Sequence, residues 1–102
     1  MRRTFRFGVE YLASPIFDPS DATMGHVSPE TLGVPADLSA AIRVWDDAYQ
    51  QTLDQNYPPD SRSFTPSELG AHNRQGAELA DRLQQALGQN FTIHFVPLAP
   101  DA

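Results

Sequence analysis

Hydrophobic periodicity changes twice along this chain, and those changes limit the fold more than any single motif does. Residues 4–12 alternate, with Phe5, Phe7, Val9 and Tyr11 set against Arg6, Gly8 and Glu10. A period of two carried by aromatic and β-branched side chains predicts a strand with one buried face. Residues 36–55 switch to a helical period. With Leu38 at zero on a wheel, Ala41, Ile42, Trp45, Tyr49, Thr52 and Leu53 fall within about 60° of it. Asp47, Gln51 and Asp54 point away and Asp46 sits at the margin. Asn56 and the pair Pro58-Pro59 end this helix.

A second helix is predicted over 66–87. Thr65-Pro66-Ser67-Glu68 is a capping box with proline in the first turn, and Gly88 is the stop. Its apolar stripe is Leu69, Gly76, Leu79, Ala80, Leu83 and Leu87. Gly76 stands mid-stripe, where glycine costs about 1 kcal/mol relative to alanine. That cost predicts close packing against a bulky neighbour, and Trp45 is the only tryptophan. Residues 90–97 return to period two, with Phe91, Ile93 and Phe95 alternating with Thr92 and His94 before Pro97.

The expected architecture is therefore α+β, in the order β-α-α-β, as one domain spanning 1–102. An antiparallel helical hairpin packs on a two-stranded antiparallel sheet. A two-stranded sheet is marginal alone and leaves open edges, so extension by a second copy or by a partner strand is expected. The long connection 13–34 carries turn signals at Ser14-Pro15 and Asp18-Pro19, with Ile16 and Phe17 tucked onto the core. Ser28-Pro29-Glu30 followed by Gly33 reads as one helical turn. A connection of this length is the first place to look for a binding surface.

Composition removes several chemistries. The chain has 102 residues and no cysteine, which excludes disulfides, thiolate nucleophiles and sulfur-ligated metal sites. The net charge is -6 and every cation is an arginine, a poor match to phosphate backbones. No run of about 18 apolar residues is present, so no membrane-spanning helix is expected. Arg6 and Glu10 interrupt the N-terminal apolar stretch, which argues against a secretory leader and for a cytoplasmic protein. Nucleotide-binding, nucleophile-elbow and zinc-protease motifs are absent from the sequence. Neither an enzymatic activity nor a cofactor is expected.

The polar residues that remain are weak signals one by one. His26, His72 and His94 lack helical metal-ligand spacing. His72 lies on the apolar stripe of the second helix and is the first candidate for a specific polar contact. Asp46 and Asp47 are adjacent on a helix and diverge by about 100°, so they form no acid–base pair. They can form an acidic docking patch with Asp54, joined by Asp18 and Asp21 from the connection, for a basic protein partner. An alternative is a dimeric small-molecule-binding or regulatory domain, with a pocket lined by Ile16, Phe17, Tyr49 and His72. An enzyme built on His72 and nearby carboxylates has no accompanying motif.

The whole pattern resembles a group of small bacterial proteins. The matching features are the strand Phe5–Tyr11, the segment Ser14-Pro15-Ile16-Phe17-Asp18, the stripe Leu38…Ile42…Trp45…Tyr49…Thr52-Leu53, then Gly76…Leu79-Ala80…Leu83…Leu87-Gly88 and Phe91…Phe95. The resemblance implies a protein of the immunity or antitoxin-like kind that inhibits a toxin by holding it. It assigns no residue a role.

Overall fold

The computed structural model describes residues 3–10, 13–19, 25–52 and 64–98. Four strands and two helices follow in the order β1 (Arg3–Phe7), β2 (Ile16–Asp18), β3 (Gly25–Val27), α1 (Ala36–Gln50), α2 (Pro66–Leu87) and β4 (Phe91–Phe95). A 3-10 turn, Pro29–Leu32, lies between β3 and α1 and ends at Gly33, whose φ of 72° suits a residue without Cβ. The α+β class is as expected. The sheet is not: it has four strands in the order β3-β2-β1-β4.

Both differences from the expected sheet arise between β1 and α1. The connection 13–34 holds a hairpin, β2 and β3, antiparallel to each other, with β2 antiparallel to β1. Three-residue strands are too short to show an alternation, so they read as loop. Their two reversals cancel, so β3 ends level with Phe7, and residues 28–35 carry the chain back along the sheet before α1 begins. Gln50, the last residue of α1, donates to the Glu10 carbonyl, beyond the far end of β1, so α1 runs with β1. Trp45 and His72 meet, as do Asp37 and Arg82, so α2 runs against α1. The turn at Gly88 then sends β4 back along the direction of β1. The two strands pair in parallel, Arg3 opposite Phe91 through Phe7 opposite Phe95, where an antiparallel pair was expected.

Element ends differ locally. The first strand stops at Phe7 instead of continuing to 12, and an isolated bridge joins Glu10 to Ala13. Helix α1 stops at Gln50 instead of 55, and the Thr52 amide and hydroxyl both donate to the Tyr49 carbonyl at its end, at 3.0 and 2.7 Å. Leu53 and Tyr11 lie outside the described residues. Helix α2 starts and ends where its caps predict. Thr65 Oγ1 accepts from the Glu68 amide at 3.2 Å, and the Glu68 carboxylate accepts from the Thr65 amide at 3.0 Å.

The core lies between the helices and one sheet face. Phe5, Phe7 and Ile16 come from the sheet, Leu38, Ile42 and Trp45 from α1, and Leu79, Ala80 and Leu83 from α2. Trp45 stacks on Phe7 at 5.0 Å and on His72 at 4.7 Å. Gly76 faces this stack. A Cβ there would lie 2.7 Å from Trp45 Cζ2 and 2.8 Å from the Phe95 ring, which explains the glycine.

The outer edge of β4 is partly occupied from within the chain. The Gln84 side chain donates to the Phe91 carbonyl at 2.7 Å and accepts from the Ile93 amide at 2.9 Å, standing in for a neighbouring strand. Asn73 binds both the amide and the carbonyl of Leu98, each at 3.0 Å. Extension of the sheet by a second copy has least room on this edge.

Candidate functional site

The acidic patch read from the sequence separates into distinct environments. Asp47 is exposed on α1 and Asp46 is half-buried beside it. Asp46 accepts from Gln50 Nε2 at 3.1 Å. Burial pushes the Asp46 carboxyl above its ordinary range; the Gln50 bond opposes this and the Asp47 charge adds to it. Around them, Arg43 is paired with Glu30, and Asp37 lies 3.4 Å from Arg82. Val44 is 66% exposed on the same helix, an apolar spot within an acidic surface. Asp18 does not belong to the patch. It is the third residue of β2, on the core side with Ile16, and only 1% exposed. Its place in the alternation puts it inward once the segment becomes a strand, which a loop reading could not reveal. Asp21 and Asp54 lie outside the described residues.

The pocket of Ile16, Phe17, Tyr49 and His72 also divides. Ile16 and Phe17 are consecutive in a strand and point to opposite faces, Ile16 into the core and Phe17 away from it. Tyr49 and His72 do meet, at 6.3 Å between ring centroids, with Phe64 5.0 Å from His72. His72 is buried by these rings and by Trp45. Trp45 Nε1 donates to the His72 carbonyl at 2.9 Å, and His72 Nε2 lies 3.4 Å from the Trp45 carbonyl. This reciprocal pair locks α1 to α2. Burial lowers the His72 pKa, opposed by the Trp45 carbonyl. Nδ1 makes no hydrogen bond among the described residues, so the ring is an interhelical wedge.

The second surface is the sheet face that no described helix covers. Register places His26, Phe17, Arg6 and His94 at one level across all four strands, β3 to β4. The Arg6 guanidinium carbon sits 4.6 Å from the Phe17 ring centroid, and the His26 ring meets Phe17 edge-on at 5.1 Å. His26 Nδ1 lies 2.7 Å from the Ser14 carbonyl and Nε2 lies 2.8 Å from the Glu10 carboxylate. At the end of this row is a hollow of about 300 Å³ with Arg6, Glu10, Phe17 and His26 on one side and Val96 and Leu98 on the other. The outward position of His94 follows from strand alternation. Nothing in the sequence brings it level with His26, because that needs the register of three strand pairs. Arg6 and its outward direction were legible in the first strand, yet its aromatic support was not.

Among the described residues, no group of three or more histidine, aspartate or glutamate side chains is placed to hold a metal ion. No described helix is long and apolar enough to cross a membrane. The two surfaces differ in character: exposed Asp47 with half-buried Asp46 on α1, and exposed Arg6 stacked on Phe17 on the open sheet face. No curated protein matches the chain. Residues 3–98 match the family model described as Serratia CdiI immunity protein-like. This match takes in every strand and helix that carries the two surfaces, and the chain belongs to that family.

Proposed function

We propose that this protein is the immunity partner of a toxin, and that it acts by stoichiometric binding rather than turnover. The family match over 3–98 is the observation that carries this reading. The finer part is that the toxin is basic and is met in the cytoplasm. The net charge of -6 and the exposed acid on α1 favour a cationic partner. Asp47 is the leading contact, with Asp46 behind it and Val44 supplying apolar area between the charges. Asp54 adds a further carboxylate shortly after α1 in the sequence. Charge of this kind acts first on the rate and selectivity of association.

The test is direct. The protein is mixed with the toxin domain encoded beside it, and toxin activity and complex formation are followed as salt is raised. Loss of toxin activity at one-to-one stoichiometry, with association slowing as salt increases, is the expected result. A toxin that stays fully active beside excess protein would overturn the reading. Reversal of charge at Asp46, Asp47 and Asp54 should slow association about ten-fold or more while leaving the melting temperature nearly unchanged. Unaltered association kinetics would remove the acidic face from the interface.

A further inference from the structure

The open face of the sheet presents one fixed cation, Arg6, between aromatic and histidine side chains. Arg6, His26 and His94 lie on it at one level, in a protein of net charge -6. Glu10, the nearby carboxylate, is engaged by His26. Arg6 is exposed and has no carboxylate partner among the described residues; its support is the face of Phe17. A guanidinium stacked on an aromatic ring keeps its in-plane N–H edge free, and that edge fits a carboxylate bidentately. Both Arg6 and Phe17 are on strands, so the pair is held rigidly in advance of any partner.

The neighbouring hollow adds shape to this charge. Val96 is 40% exposed at its rim, and Leu98 is fixed there by the two hydrogen bonds from Asn73. An arginine over an aromatic, beside a small apolar hollow, is the composition of an interface hot spot more than of a solvated surface. The guanidinium of Arg6 at this spot favours a carboxylate on the toxin.

We propose that this face is a second contact surface for the toxin and receives an acidic loop of it. A toxin Asp or Glu pairs with Arg6, and the side chain next to it enters the hollow beside Val96. His94 and His26 flank the carboxylate across the sheet. The proposal rests on the immunity reading and extends it: the helical acid steers encounter, while the Arg6 row holds the complex.

The experiment measures association and dissociation of the toxin domain encoded beside this chain with the wild-type protein and with Arg6→Glu, His94→Glu and Asp47→Arg. Arg6→Glu should weaken the complex at least about thirty-fold, mainly through faster dissociation. His94→Glu changes an exposed position on the same row and should weaken it in the same sense, which keeps the test valid if Arg6→Glu lowers the melting temperature. Asp47→Arg should act on association instead. No binding by the wild-type chain overturns the immunity reading itself. Firm wild-type binding with both sheet-face variants within about two-fold of it overturns this inference alone.

Discussion

Replacing Gly76 by alanine adds one methyl group to a helix that would otherwise welcome it. In a solvated helix interior the change should stabilise by about 1 kcal/mol. At position 76 the new Cβ would lie 2.7 Å from Trp45 Cζ2 and 2.8 Å from Phe95, well inside van der Waals contact. Trp45 has little freedom to retreat. Its ring is stacked between Phe7 and His72, and its Nε1 is bonded to the His72 carbonyl. Overpacking of this kind costs about 1–3 kcal/mol. Gly70 is the internal control, since it is in the same helix, is exposed, and a Cβ there would meet nothing within 4 Å. The difference between Gly76→Ala and Gly70→Ala removes the helix-propensity gain common to both and isolates the clash. Gly70→Ala should raise the melting temperature and Gly76→Ala should fall below it by roughly 4–8 °C per kcal/mol, as expected for a domain of this size. Denaturant titration gives the same comparison as free energies. Gly76→Leu, with a longer side chain driven into the same rings, should abolish the cooperative transition. Equal shifts for the two alanine variants, or a Gly76→Leu protein that melts like the wild type, would refute the packing argument.

Three further outcomes follow from the same structure. His72 is held neutral by burial, with a pKa below the ordinary imidazole range, so the unfolded chain binds the extra proton first. Its contribution is fully present above pH about 6.5 and is lost as pH falls through the folded value; His72→Gln should flatten this limb of a stability–pH profile, and an unchanged slope would exclude His72 as its source. Thr65→Ala removes the acceptor for the Glu68 amide and should cost about 1 kcal/mol, read as a lower denaturation midpoint with an unchanged m-value. The charge variants at Asp47 and Arg6 should divide kinetically, the first changing association and the second dissociation; the same kinetic change from both would show that the two surfaces have no separate roles.

The helices were legible because their signals are local. A period of 3.6 over Leu38, Ile42 and Trp45 and a reciprocal cap at Thr65 and Glu68 need no distant partner. The Gly76–Trp45 contact was legible for a related reason: a glycine in the middle of an apolar helical stripe carries a cost that only close approach explains. Strands β2 and β3 were hidden because three residues hold too little alternation to stand out from a turn-rich connection. The parallel pairing of β1 with β4 was hidden too, because residues 28–35 carry the chain back along the sheet before α1 begins, a reversal with no local signal.

The candidate sites divide along the same line. Adjacent Asp46 and Asp47 on an outward helical face can be read from spacing alone, and so can the outward position of Arg6 and His94. Tertiary structure decided which of the predicted residues could act together. It turned Asp18 inward and separated Ile16 from Phe17 across the sheet, because neighbouring strand residues face opposite ways. It also aligned His26, Phe17, Arg6 and His94, residues spread from position 6 to position 94, into one row. By itself the sequence determined the two helices, the caps of α2, the acidic charge and the alternation of the end strands, all set by interactions within a few residues. The sheet order and the row of His26, Phe17, Arg6 and His94 on its open face were decided only in three dimensions, because strand register is set by packing between segments far apart in the chain.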